Sequence, residues 1–366
     1  MKNAVLAALL VLIACSVSPL DTGTVYELTV TYVFVNNSRQ EVTLRLDSSI
    51  VRLYLVPEIE GWQALESYRV VIDGADLTGI FHIVRDEEGN RLIVSDRALR
   101  LEPGSNHSVA LVQRIVVYPP WARTVRMLPA DAQREAPKDL LYTGGYWSSP
   151  VLDRIAKELI ARASGDPREY VIEVIKWVAE NIEYRMSKEG GIASPHETVK
   201  RGWGACGERS GVVTALLRRG GIGSYLMLAY YYEEREQPLK LSGGDVEVVY
   251  VNALPHVFSM CHMGGYEFPI DTTLPLTSPD TPLTAVNKAI VNTNDRLIIV
   301  ARFVGAKPYS NLNTMLEIYA PAPSVKVRVV TSLKILKKAE IPLTGVIPLL
   351  LVLAALTLYV LSSRKT

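Results

Sequence analysis

The chain has 366 residues, 48% of them hydrophobic and 21% charged, so it is long enough for two ordinary domains with real cores and is not disordered. Its formal net charge of +1 argues against a strongly basic nucleic-acid binder. Three cysteines are too few for a disulfide scaffold. The sequence contains no zinc-spaced cluster, P-loop or GxGxxG stretch, so we predict no cofactor, no metal and no nucleic-acid partner.

The N-terminus is typical of an export signal. Lys2 supplies a positive charge, and the apolar run from Ala4 to Ala14 is too short to span a bilayer. We therefore predict a signal peptide over residues 1–20. The segment ending at Cys15 also resembles a bacterial lipobox, which would make Cys15 a lipid attachment site, and this alternative to cleavage or an uncleaved anchor stays open.

The other end of the chain carries a longer apolar stretch. Residues 342–361 are nearly all Leu, Val, Ala and Ile, which is the length that a transmembrane helix requires. Together with the export signal, this stretch predicts a single-pass protein at the cell membrane with the bulk of the chain extracytoplasmic. The basic residues on the two sides of the stretch do not themselves favour that orientation.

Residues 24–119 have the pattern of strands. Segments rich in β-branched and aromatic residues are separated by Gly, Asn and Asp turns. They cover residues 26–35, 42–46, 51–56, 68–72, 91–94 and 108–118. Their regular spacing predicts an antiparallel β-sandwich of roughly seven strands. Two glycosylation sequons, beginning at Asn36 and Asn106, are compatible with an exported domain.

A linker over residues 120–149 is predicted next, followed by a second domain over residues 150–332. A helix is expected to start at Asp166 as N-cap, with Pro167 in its first turn. A second helix is expected from Glu208 to Arg219, after the glycine-rich turn that begins at Gly202, which places Cys206 at or just before its N-terminus. The unpaired N–H groups and the helix dipole favour a thiolate there. A lone cysteine in this position is more often a small buried residue than a nucleophile, so a base is needed to change the balance.

A candidate base and its partner follow on a predicted hairpin. One strand begins near His256 and the other ends at Asp271, with a Gly264-Gly265 turn between them, so the two side chains can lie side by side. Cys206, His256 and Asp271 together provide a nucleophile, a base and an orienting carboxylate. His196 and His262 compete for the role of base, and His262 shares strand parity with His256. Cys261 falls on the opposite face and is predicted to be a buried free thiol.

These residues resemble the transglutaminase-like superfamily of papain-like fold, in which Cys, His and Asp occur in this order. The resemblance covers roughly residues 151–275 and rests on four elements. They are the segment ending Asn181-Ile182-Glu183-Tyr184, the turn Gly204-Ala205-Cys206, the segment Arg218–Ile222, and Asp271-Thr272-Thr273. The chain departs from the family in having Phe258 and Phe268 where tryptophan is frequent.

The resemblance implies a microbial, membrane-anchored member in which Cys206 attacks a carboxamide or peptide carbonyl through a thioester. Water would make the protein a protease or amidase, and a lysine amine would make it a transglutaminase. The expected fold class is α+β, a papain-like transglutaminase core preceded by an antiparallel β-sandwich and ending in a C-terminal transmembrane helix. Expected partners are a protein or peptide substrate, a cell-envelope polymer, and the membrane. The alternative is a non-catalytic, surface-anchored binding module of the same fold.

The N–H of Cys206 is expected to donate to the oxyanion, with Trp203 and Tyr184 as guesses for the second donor.

Overall fold

The computed structural model describes residues 23–47, 51–119, 125–128, 136–186, 193–273, 284–286, 295–305 and 325–339. The predicted signal peptide with Cys15, and the apolar stretch 342–361, lie outside these ranges. Within them, no helix is both long and apolar enough to cross a membrane. The transmembrane helix of the expected fold class is therefore not part of the fold that the structure shows.

The protein is mostly β, with 47% of the described residues in strands and 23% in helices. The strands before the first α-helix are β1 Thr24–Asn36, β2 Val42–Arg45, β3 Leu53–Leu55, β4 Gln63–Ile72, β5 Ala75–Asp76, β6 His82–Arg85, β7 Arg91–Val94, β8 Ala98–Leu101, β9 Asn106–Val117 and β10 Val125–Met127. Short 3₁₀ turns cover Thr78–Ile80, Lys138–Leu141 and Gly145–Trp147.

Four helices follow: α1 Pro150–Arg162, α2 Pro167–Asn181, α3 Pro195–Arg201 and α4 Cys206–Arg219. The remaining strands are β11 Glu183–Tyr184, β12 Trp203–Gly204, β13 Gly223–Tyr232, β14 Leu239–Gly243, β15 Val246–Val251, β16 Ala253–Met263, β17 Tyr266–Ile270, β18 Thr284–Val286, β19 Leu297–Phe303 and β20 Val325–Lys337. The expected helix starts are confirmed, since the Asp166 side chain caps α2 with Pro167 in its first turn, and α4 begins at Cys206.

The largest sheet joins distant parts of the chain. Its strand order is β14-β15-β20-β1-β9-β4-β5, so β1 lies between β9 and the C-terminal strand β20. β15 and β14, which come from the middle of the predicted second domain, extend the same sheet. The expected arrangement, a sandwich that simply precedes the core, is therefore wrong. The pairing of strands depends on contacts between residues far apart in sequence. The alternation of apolar and polar residues within a strand does not indicate which strand it pairs with.

A second sheet carries the helices. Its order is β10-β18-β17-β16-β13-β19, and α4 packs across β13 and β16. Its opposite face packs against the first sheet, where Trp62 and Tyr26 share a core with Phe258 and Met260. The Nε1 of Trp62 also donates to the Leu297 carbonyl at 3.1 Å. The two sheets are thus joined by a continuous core, while the predicted domain boundaries at residues 119 and 150 stay predictions.

Asn36 shows how the fold overrides a local motif. Its side chain is buried at the end of β1, and its amide nitrogen donates to the carbonyls of Gln40 and Leu101, each at 2.8 Å. A glycan cannot be attached to an amide that is held inside the protein in this way. Asn36 therefore has a structural role at the end of β1, and its sequon gives no support for export.

Helix α4 is buried on all sides from Gly207 to Arg218. A charged residue, Arg218, fastens its C-terminal end. The guanidinium donates to the carbonyls of Ser224, Tyr142 and Val304, each at 2.8 Å, and lies over the Trp147 ring. Burial lowers the Arg218 pKa to about 10. The cation is therefore a structural cross-link between α4, β13 and the end of β19.

We expect Arg218→Met to lower the free energy of unfolding by about 3–5 kcal/mol. The three carbonyls are backbone groups and cannot be replaced by apolar ones, so the substitution leaves them buried and unpaired. Urea denaturation measures the effect. The control, Arg154→Met, changes an exposed residue of α1 and should stay within about 0.5 kcal/mol of the wild type. Equal effects of the two substitutions would contradict the structural role of Arg218.

Candidate active site

The cysteine turn is built from two glycines with different tasks. Gly202 ends α3 in the left-handed region, with φ of 73°, which favours glycine. Gly204 lies against the next helix, and a Cβ added there would be 2.5 Å from the Cβ of Glu208. The glycines let the chain reverse tightly between α3 and α4. Cys206 is consequently presented as the first residue of a buried helix.

Glu208 holds this turn in place. Its Oε2 accepts a hydrogen bond from the Ala205 N–H at 3.0 Å, and its Oε1 accepts one from Arg201 at 2.9 Å. The side chain is 4% exposed, so this ion pair is well shielded from water. Arg201 also stacks on the Trp203 ring at 3.9 Å and donates to the Trp203 carbonyl. The residues on both sides of the nucleophile position are thereby held rigidly.

His256 and Asp271 meet at the open end of the hairpin formed by β16 and β17. His256 Nε2 lies 2.5 Å from Asp271 Oδ2, and both residues are buried. Asp271 Oδ1 accepts the N–H of Thr273 at 2.7 Å, which fixes the carboxylate. The hairpin therefore joins the two side chains as the sequence predicts.

The imidazole also contacts the cysteine. The Cys206 side chain lies close enough to the His256 ring to raise its pKa by hydrogen bonding and by charge. Because Nε2 faces Asp271, the opposite ring nitrogen, Nδ1, is the one left for the thiol. The structure thus brings together the three residues that the sequence selects, in the order sulfur, imidazole, carboxylate.

The environment of His256 favours its charged form. Burial alone lowers the pKa of the ring, but the hydrogen bonds and charges of Asp271 and Cys206 outweigh burial and raise it from 6.5 to about 10. An imidazolium beside Cys206 stabilises a thiolate, which is the nucleophilic form of cysteine. The geometry and the charges point to the same chemistry.

A row of hydroxyls sets the register of α4 on β16. The Ser210 hydroxyl donates to the Val257 carbonyl, and the Ser259 hydroxyl donates to the Ser210 carbonyl at 2.8 Å. Thr214, one turn further along α4, donates to the Ser259 hydroxyl at 3.1 Å. Ser210 lies one turn after Cys206, and Val257 directly follows His256. These bonds therefore align the sulfur with the imidazole.

The competing residues lie elsewhere. His262 is six residues further along β16, roughly 20 Å from His256, where it faces Glu267. His196 bonds Ser149 at the start of α1. Cys261 is a free, fully buried thiol, and burial raises its pKa well above the usual value. Cys206 is also free and is only partly buried.

The structure places two further residues beside the site. Tyr184, which the sequence suggests only as an oxyanion donor, interacts electrostatically with Cys206, Asp271 and Arg209. Arg209 is not among the residues that the sequence patterns identify. Its spacing of three residues from Cys206 places both on one face of α4, which is the signal that could have identified it. The guanidinium groups of Arg201 and Arg185 both lie over the ring of Trp203.

A cavity of about 570 Å³ lies apart from these residues. It is lined by residues of β13, β16, β17 and β19 together with residues from the segments 55–60 and 85–91, and its lining includes none of Cys206, His256 and Asp271. Among the described residues, no group of three or more His, Cys, Asp or Glu side chains is placed to hold a metal ion.

A cysteine on a helix N-terminus facing a His–Asp pair on an antiparallel sheet is the arrangement of the papain-like cysteine enzymes. Residues 153–267 match the family model described as "Transglutaminase-like superfamily". The chain therefore contains a transglutaminase-like domain, and the resemblance seen in the sequence is confirmed over this stretch. No curated protein matches the sequence.

The solved structures that match include two at 12% sequence identity each. One is a "Putative Cysteine Protease" from Cytophaga hutchinsonii, with a TM-score of 0.50 over 87% of this chain and 93% of that chain. The other is a "Putative Protease" from Parabacteroides distasonis, with a TM-score of 0.27 over 75% of this chain and 68% of that chain. At this identity the first likeness concerns the fold alone. The TM-score of the second is too low to indicate a shared fold.

Proposed function

We propose that the protein is a cysteine-dependent enzyme that cleaves or transfers the acyl part of amide or peptide bonds, with Cys206, His256 and Asp271 as its catalytic residues. The observation that carries this proposal is a single buried imidazole that bonds Asp271 and whose pKa is raised by both Asp271 and Cys206. A buried imidazole with a strongly shifted pKa beside a cysteine is typical of a catalytic site.

In the first half of the reaction, the Cys206 thiolate adds to the carbonyl carbon and the carbonyl oxygen becomes an oxyanion. The backbone N–H of Cys206, at the first position of α4, is free of helix hydrogen bonding and is suited to donate to that oxygen. The C–N bond then breaks as the His256 imidazolium gives its proton to the leaving amine, leaving a thioester on Cys206.

In the second half, neutral His256 takes a proton from water, and the resulting hydroxide attacks the thioester. The acid leaves and the thiol is restored, with one water consumed per bond cleaved. An amine in place of water gives acyl transfer by the same steps. The name of the Cytophaga hutchinsonii protein supports hydrolysis of a peptide as the first reaction to test.

We propose that the protein acts outside the cytoplasm, and the N-terminal sequence supports this. Its charge and apolar run are typical of an export signal, so the proposed substrate is a protein or a cell-envelope polymer outside the cytoplasm. The alternative, a binding module with an unreactive thiol, differs from the enzyme in one property that can be measured, the reactivity of Cys206.

We expect a peptide amide analogue that carries a thiol-reactive group to label the full chain at Cys206 and not at Cys261, because only Cys206 has an imidazole partner and partial exposure. Peptide mapping by mass spectrometry identifies the labelled residue. The control is His256→Gln, which should slow labelling strongly while Cys206 is still present. Labelling that is equally fast in this variant and in the wild type would favour the binding module.

A further inference from the structure

Arg209 is a buried cation at the edge of the candidate site. It lies three residues after Cys206 on α4, so the two side chains share a helix face with their Cβ atoms about 5–6 Å apart. The residue is 7% exposed. Its Nε is fully buried and has no hydrogen-bond partner among the described residues.

The other arginines of this region are used differently. Arg218 gives its donors to three carbonyls, and Arg219 is bonded to Asp153, Ala215 and Trp147. Arg201 is paired with Glu208. Each of these cations is satisfied within the fold, as buried charges generally are. Arg209 is the exception on α4: its Nε is enclosed and has no partner among the described residues, so the donors on its two terminal nitrogens are the ones that a group arriving from outside can reach.

The surroundings of Arg209 are those of the reaction centre. It interacts electrostatically with Asp271 and Tyr184, and Tyr184 interacts with Cys206. Asp271 gives its two oxygens to His256 and to the Thr273 N–H. Tyr184 is 46% exposed and Cys206 is only partly buried, so a ligand can approach from that side.

We propose that Arg209 binds a carboxylate of the substrate next to the carbonyl that Cys206 attacks. This inference rests on the proposed function, and it defines the substrate class as a peptide or amide with a negative charge about one residue from the reacting bond. A guanidinium matches a carboxylate with two parallel hydrogen bonds, which gives position as well as charge. The carboxylate can come from an acidic side chain or from the end of a peptide chain.

Two small alkylating agents test the anion site without any need for turnover. Iodoacetate carries a carboxylate next to its reacting carbon, whereas iodoacetamide is its neutral counterpart. We measure the rate constants for both at Cys206 in the full chain, and divide their ratio by the same ratio for free cysteine. Arg209→Gln should lower this normalised ratio about tenfold or more, because hydrogen bonds to charged groups are strong.

Two further variants make the result specific. Arg209→Lys keeps the charge without the planar fork and should give an intermediate ratio. Arg185→Gln removes an exposed cation over the Trp203 ring, close to the same turn, and should leave the ratio within about twofold of the wild type because exposed charges act weakly. An Arg209→Gln ratio equal to that of the wild type would overturn the proposal, as would equal losses in Arg209→Gln and Arg185→Gln.

Matched peptides then identify the source of the carboxylate. One pair differs by Glu against Gln beside the cleaved bond, and a second pair differs by a free C-terminus against a C-terminal amide. The wild type should favour the acid in one pair by about tenfold or more in kcat/KM, and Arg209→Gln should abolish that preference. Cleavage of all four peptides at equal rates would overturn the inference but leave the proposed function standing. If Arg209→Gln lowers the alkylation ratio but no peptide is cleaved, the anion site beside Cys206 would stand and the proposed function would fail.

Discussion

His256→Ala is expected to lower kcat/KM for peptide or amide cleavage roughly 10⁴-fold or more. One imidazole serves as both the acid that protonates the leaving amine and the base that activates water. No other imidazole among the described residues is within reach of Cys206, since His262 lies roughly 20 Å further along β16 and His196 is bonded to Ser149. Without the ring, the thiol loses its proton acceptor and the thioester loses its route to hydrolysis.

His262→Ala is the matched control for this result. It removes the same side chain from the same strand, where it faces Glu267 and not the thiol. We expect kcat/KM within a few-fold of the wild type, with both variants checked for native folding by thermal unfolding. Comparable losses in the two variants would show that the strand tolerates neither substitution, and the assignment of His256 as the base would fail.

Asp271→Asn is expected to lower kcat roughly 10³- to 10⁴-fold with little change in the fold. Asparagine keeps the shape of the side chain and can still bond the Thr273 N–H through its oxygen, but it no longer carries the charge that stabilises the imidazolium. The effect should appear in kcat more than in KM, because the charge matters most as His256 becomes protonated. Steady-state kinetics with a single peptide amide measure both constants, and an unchanged kcat would exclude Asp271 from the mechanism.

The pH dependence of the same variant gives an independent check. The His256 pKa is raised to about 10, so wild-type acylation should decline as pH rises through about 10, where the proton for the leaving amine is lost. In Asp271→Asn the decline should move to lower pH, since the main hydrogen bond and charge that raise the pKa are gone.

The stability of the fold should depend on pH in the same direction as the acylation rate. The contribution of protonated His256 to the free energy of unfolding is fully present below pH 6.5 and is lost as pH rises to about 10.

Much of the site could be predicted because its parts are local patterns. The glycine turn and the spacing of apolar residues after Glu208 predict a helix that begins near Cys206. The turn at Gly264 and Gly265 records a hairpin whose parity places His256 and Asp271 on one face. These features depend on residues only a few positions apart. Helical and strand periods repeat over such distances, so the sequence displays them directly.

The sequence by itself therefore determined the helix and the hairpin that carry the three catalytic candidates. Only the tertiary structure decided that β20 closes on β1, that Asn36 is locked inside a sheet corner, and that the Nε of Arg209 has no hydrogen-bond partner among the described residues while the Arg218 guanidinium has three. These features depend on which distant segments meet. A strand has the same alternation of apolar and polar residues whichever strand it pairs with. An arginine has the same donors whether they bind a backbone carbonyl or a substrate. These partners are therefore defined only once the chain is folded.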